Sequence, residues 1–154
     1  SKVPQFRTPA LRALLEHALQ QNQVPAAEAL AQDLQMSQEV TFSDYLLCLD
    51  LYRKLNPKKF GALLSKVKPV AARHGQDLAQ LITWMNQNEL ASDALKWSEK
   101  LSPSLTSQPQ TVIALAHSHV VSKNFSRLKR RTRNGSWVGV DYLRFASQAY
   151  AAKD

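Results

Sequence analysis

Apolar side chains recur along this chain at the i, i+3, i+4, i+7 spacing that lines one face of a helix. Five such sets are Leu11, Leu14, Leu15 and Ala18; Tyr45, Cys48, Leu49 and Tyr52; Leu78, Leu81, Ile82 and Met85; Val112, Leu115, Ala116 and His119; and Tyr142, Phe145, Ala146 and Ala149. Their first members advance by 34, 33, 34 and 30 residues. A second series lies between them: Ala27, Leu30, Ala31, Leu34; then Phe60, Leu63, Leu64, Val67; then Ala94, Trp97, Ser98, Leu101. Its fourth member, from Phe125 to about Thr132, keeps only Phe125 and Leu128 as apolar residues. Two helices per period predict an all-α fold, a right-handed α-α superhelix (solenoid) of about 4.5 antiparallel hairpins in which each hairpin buries its stripe against its neighbours. The expected hairpins cover residues 8–37, 43–74, 77–102 and 109–133, with a terminal helix over 137–152, all in one domain spanning 1–154. No segment alternates with period two, so no sheet is expected.

Start and stop signals punctuate this pattern. Thr8-Pro9 and Asn56-Pro57 each supply an N-cap followed by proline at the first helical position, Gln108-Pro109 supplies the proline, and Ser43 is the expected cap of the second A helix. Tight turns at Gln21-Asn22-Gln23 and Lys123-Asn124 join A to B within a hairpin. Gly75, Ser102-Pro103 and Asn134-Gly135 are expected to close B helices. Trp137 opens the last helix and is expected to pack on Leu128.

A period near 34 with paired helices resembles the tetratricopeptide family over about residues 8 to 152, best at Leu14-Leu15, Ala18, Asn22, Ala27, Leu34 and at Leu81-Ile82, Met85, Asn88, Ala94, Leu101. The resemblance has departures. The small residue of helix A is replaced by Leu15, Leu49 and Ile82, and the repeat-ending proline is displaced, Pro69 and Pro103 being nearest. The family presents its A helices on a concave face that binds peptides or partner subunits. The resemblance therefore implies a non-enzymatic protein-interaction scaffold, with a groove containing Arg12, Glu16, Asp50, Arg53, Lys54, Gln76, Thr83, Gln87, Gln110 and His117. The family's carboxylate clamp is not implied, because these positions mix both signs with neutral amides.

Charge adds an alternative. The net charge of +8 is concentrated in two blocks without acids: seven basic residues from Arg53 to Arg73 and six from Lys123 to Arg133. The remaining seven basic residues face all twelve acids. Lys58, Lys59, Lys66 and Lys68 on one B helix, with Arg127, Lys129, Arg130, Arg131 and Arg133 on another, are expected to form a basic stripe. Such a stripe suits nucleic acid or another polyanion, whose binding releases counterions. Pentatricopeptide proteins share the period, but they read RNA from A helices, and no pair of base-reading positions recurs here.

Catalytic chemistry finds little support. His117 and His119, two residues apart on a helix, point about 200° apart and do not share a ligand face. His119 is expected to be packed with a hydrogen-bond partner. His17 and His74 have no Cys or carboxylate at ligand spacing. Cys48 falls in an interior phase and reads as a small buried hydrophobe rather than a nucleophile. Four glycines leave little for a phosphate-cradling loop, and no hydrolase, zincin or paired-carboxylate motif occurs. No cofactor, metal or enzymatic activity is expected. Of the tryptophans, Trp97 lies on a B-helix stripe, and Trp84, off the main stripe of its helix, reads as a contact between adjacent hairpins or as an exposed binding residue. No apolar run approaches the ~20 residues of a membrane span. Ser1-Lys2-Val3-Pro4 reads as the cut end of a longer chain, and the compartment, cytoplasm or bacterial periplasm, is left open.

Overall fold

The computed structural model describes residues 7–134 and 142–152, and every regular element among them is a helix. In chain order these are α1 (Arg7–Gln20), α2 (Val24–Gln35), α3 (Phe42–Leu55), α4 (Pro57–Ala71), α5 (Gly75–Gln87), α6 (Ala91–Ser98), α7 (Pro103–Thr106), α8 (Pro109–Val121), α9 (Phe125–Asn134) and α10 (Tyr142–Ala151). The chain packs as two units, residues 1–67 and 68–154, the division falling within α4. Trp137, Gly135 and the beginning of the expected terminal helix lie outside the described residues.

In the first unit α1 packs on α2 and α2 on α3. Leu15, Leu34, Leu49 and Leu51 are fully buried, each such side chain stabilising the fold by ~1.5–3 kcal/mol through loss of hydrated apolar surface. The expected α1 stripe is shifted: Thr8, Leu11, Leu15 and Ala18 are buried, and Leu14 is 53% exposed. Thr8 is therefore inside the helix rather than its cap, and its hydroxyl bonds to that of Ser37. Thr41, not Ser43, caps α3. The Asp44 carboxylate accepts from the Thr41 backbone N–H at 2.8 Å and from its hydroxyl at 2.9 Å, so an acid three residues into the helix closes the box. Asn56 behaves as expected, its side-chain oxygen accepting the Lys59 N–H at 3.1 Å.

In the second unit α5 packs on α6 and α8, α6 on α8, α8 on α9, and α10 on both α8 and α9. Successive helices thus pack A on B, A on the next A, and B on the next A. Central position widens the buried face. On α5 the expected Leu78, Leu81, Ile82 and Met85 are joined by Ala79, Trp84 and Asn86. Trp84, 6% exposed, is a packing residue. Ala116, Leu128, Phe145 and Ala149 form a cluster sealed by Ile113, Val120 and Phe125, so two apolar residues are enough to seat the otherwise basic α9. Several boundaries differ from expectation. Gly75 opens α5 instead of closing α4, and α4 runs through Pro69. The third B helix stops at Ser98, and Pro103 starts the short α7 in the connection to α8. Leu95 takes the buried position there, and Trp97 is half-buried with Lys68 Nζ 5.6 Å from its ring centre.

The repeat shows most directly in the turns. Asn22, Glu89 and Lys123 adopt left-handed φ of 55°, 62° and 56°. After each, a backbone N–H reaches back five residues: Gln23 to Ala18 at 2.9 Å, Leu90 to Met85 at 2.9 Å, and Asn124 to His119 at 2.8 Å. These are Schellman closures, which satisfy the last carbonyls of each A helix. Asn56 occupies the corresponding place in the second hairpin but has φ −150°. Pro57 follows it, and a residue before proline is pushed towards extended backbone.

Candidate functional site

Four of the A-helix positions expected in a groove are related by the repeat: Glu16, Asp50, Thr83 and His117, spaced 34, 33 and 34 residues. Glu16, Thr83 and His117 are exposed and Asp50 is half-buried. Arg53, Lys54, Gln76, Gln87 and Gln110 are exposed as well, with Gln76 and Gln110 again 34 apart. Their helices turn apolar faces inward, which leaves these polar positions on the outer side. Asp50 and Lys54 also line a small cavity of about 110 Å³ against the Asn22–Val24 turn.

Arg12 is engaged within its own unit. Its guanidinium makes a two-pronged ion pair with Asp44, the second contact 2.8 Å long, and Asp44 is 1% exposed. Burial pushes the Asp44 carboxyl up, but bonds from Arg12 and Thr41 outweigh it and hold the acid below its ordinary range. Arg12 is thereby committed to α3 as a buried carboxylate's counter-ion.

The basic residues are largely engaged. Lys59 bonds Glu28 at 3.2 Å and lies 5.7 Å from the Tyr52 ring centre. Arg127 pairs with Glu99 at 2.7 Å. Lys129 and Arg133 lie over Tyr150, and Arg133 donates to its hydroxyl at 2.8 Å. Arg131 is half-buried and donates to the Thr106 carbonyl at 3.3 Å. Lys58, Lys66 and Arg130 are exposed. Lys59 and Lys66 border a depression of about 410 Å³ beside Gln35 and Tyr52.

A concavity larger than these two belongs to the second unit. It is a cavity of about 580 Å³ between the end of α6, α7, α8 and α9. Arg127, Arg130 and Arg131 line one side, Leu95, Pro103 and Val112 supply apolar wall, and Glu99, Ser98, Thr106 and Ser107 the remaining polar groups. His119 forms part of the wall. It is buried, as its phase implies, but its Nδ1 has no hydrogen-bond partner among the described residues, contrary to expectation. Burial first, then Arg131 and Arg127, push its pKa down to about 4, so the ring is neutral at physiological pH. Burial also lowers the pKa of Arg131.

The sequence pointed to the three arginines and to His119 but not to their meeting in one cavity, nor to Glu99, Thr106 and Ser107. The Ser-Pro-Ser-Leu-Thr-Ser run at 102–107 was the available signal, a turn-forming cluster that inserts α7 between two hairpins. Cys48 is fully buried, its Sγ 3.7 Å from the Ala31 carbonyl, and burial followed by the neighbouring Asp44 charge pushes its thiol up to about 12. Among the described residues no three His, Cys, Asp or Glu side chains gather as a metal site, and no helix is long and apolar enough to cross a membrane.

No protein-family model, curated protein or solved structure matches this chain.

Proposed function

We propose that this chain is a tetratricopeptide-like binding module, a scaffold that takes a peptide or partner subunit along the outer side of its A helices rather than an enzyme. The reading rests chiefly on one observation: Glu16, Asp50, Thr83 and His117 recur at repeat spacing, and Glu16, Thr83 and His117 are exposed and polar. Exposed polar side chains at a repeated position, as at Glu16, Thr83 and His117, are suited to specify a partner. Charge-altering pairs in each unit, Glu16→Lys with Asp50→Lys and Thr83→Lys with His117→Glu, test it. Either pair is expected to abolish retention of a co-purifying partner while circular dichroism stays unchanged. Retention equal to that of the unaltered chain in both variants argues against this surface.

The polyanion reading is narrowed by the engagement of Lys59, Lys68, Arg127, Arg131 and Arg133 in contacts within the protein. Its remaining support is the exposure of Lys58, Lys66 and Arg130. Anisotropy of labelled single-stranded RNA between about 50 and 200 mM salt distinguishes the two, since phosphate-driven binding weakens steeply over that range.

A further inference from the structure

We propose that the depression in the first unit, between the end of α2 and the first part of α4, docks an acidic peptide segment that carries a large apolar side chain. That side chain lies against Met36 and Leu63, and the flanking carboxylates are answered by Lys66 and Lys58. None of the residues of the A-helix surface lines this depression, so the inference stands apart from that reading.

The apolar part of the surface sets the anchor. Met36 is 84% exposed, more than any other large apolar side chain among the described residues. It caps α2, its backbone N–H donating to the Gln32 carbonyl at 3.2 Å, so the helix end fixes where it stands. Ala62, exposed, and Leu63, buried, continue the apolar lining on α4. An unbranched thioether adapts to apolar partners of varied shape, and covering it takes its surface out of water. A space of about 150 Å³ holds a benzene-sized body. A depression of about 410 Å³ therefore has room for a Leu or Phe side chain and its flanking backbone.

Charge sets the sign of the partner. From Arg53 to Val67 the chain carries Arg53, Lys54, Lys58, Lys59 and Lys66 and no acid. Lys59 is answered by Glu28 at 3.2 Å. Lys66, which lines the depression, and Lys58, one turn before Ala62, are exposed and make no ion pair among the described residues. A segment with Asp or Glu beside its apolar residue meets these two charges, and a basic segment is repelled.

The same lining disfavours nucleic acid. Single strands are held by stacking bases on open aromatic faces. The aromatic residue in the lining, Tyr52, is 3% exposed and has Lys59 Nζ 5.7 Å from its ring centre. The lysines here accompany an aliphatic surface, not a stacking platform.

The test uses the full chain and its two methionines. Isotopic labelling of their methyl groups gives two NMR signals: Met36 in the depression, and the buried Met85 of the second unit as an internal control. Peptides are first selected from a random display library on the unaltered chain, after removal of those retained by a variant carrying Lys58→Glu and Lys66→Glu. The recovered peptides are expected to combine Asp or Glu with Leu, Ile, Met or Phe. Recovery of none, or of acidic sequences without an apolar residue, overturns the proposal. The most frequent peptide is then titrated into the labelled chain. The Met36 signal is expected to shift saturably while Met85 stays in place, and changing the peptide's apolar residue to serine is expected to weaken binding at least tenfold. A peptide that binds and leaves Met36 unmoved overturns the site. Oligouridylate RNA is expected to leave Met36 unmoved; a shift saturating at the same concentration as the peptide assigns the surface to polyanions and overturns the proposal.

Discussion

Asn86 of α5 and Ser118 of α8 are joined across the second unit by a hydrogen bond in which the Ser118 hydroxyl donates to the Asn86 side-chain oxygen at 2.7 Å. The Asn86 amide in turn donates to the Ala114 carbonyl at 3.0 Å. Both residues are buried, at 5% and 0% exposure, so the pairing fixes the register of two consecutive A helices from inside the core. Asn86→Ala is expected to destabilise the chain by ~2 kcal/mol, the cost of leaving buried polar groups without partners. A double-mutant cycle with Ser118→Ala, read by urea unfolding, is expected to show a coupling of about 1 kcal/mol. Additive single effects would mean that the two helices are registered by their apolar contacts alone.

The Arg12–Asp44 pair gives the first unit a defined acid response. The folded-state pKa of Asp44 lies below its ordinary value of 3.8. Its contribution is therefore fully present above about pH 5 and is lost as pH falls through the lower folded-state value. Arg12→Ala is expected to cost ~2 kcal/mol at neutral pH, less than the ~3–5 of a fully buried pair because Arg12 is partly solvated. Asp44→Asn is expected to remove this acid-dependent component. Parallel pH–stability curves for Asp44→Asn and the unaltered chain would contradict the assignment.

Cys48 supplies a reporter of opening. A fully buried thiol pushed up to about 12 presents almost no thiolate at neutral pH. Labelling by a water-soluble aromatic disulfide is expected to be slow in buffer and complete within the mixing time in denaturing urea. Rapid labelling in buffer would show that the core around Ala31 and Tyr52 opens far more readily than its burial implies.

Gly61 lies exposed within α4, and a Cβ added there meets nothing within 4 Å. Gly61→Ala is accordingly expected to raise stability by ~0.5–1 kcal/mol, the difference in helix propensity at an exposed interior position. A loss on thermal unfolding would mean that the glycine serves a contact outside the described residues.

How much of this was legible beforehand follows from which forces act locally. Helix type and most of the buried stripes were readable because a 3.6-residue period requires only that one face be apolar, as at Leu78, Leu81, Ile82 and Met85. Proline and asparagine signals located α4 and α8 through Asn56-Pro57 and Gln108-Pro109. Expectation failed where tertiary context decides. Leu14 matches its stripe but is 53% exposed, whereas Trp84 lies off the stripe yet is buried on a helix packed by both α6 and α8. Thr41 displaced Ser43 as cap because Asp44 completes a reciprocal box, a pairing that needs the side chain three residues on. The candidate site was legible as residues and not as a place. Arg127, Arg130 and Arg131 read as an outward stripe, because nothing in their spacing reveals that α7 folds over one side of α9.

The most direct test of the binding account is site-specific photo-crosslinking in the cells from which the chain comes. A benzophenone amino acid is placed at Thr83, at His117 and, as a control, at the exposed Lys96 of α6. The account expects the same partner band from Thr83 and His117, and none from Lys96. Crosslinks of equal strength from Lys96, or none from either A-helix position, would contradict it.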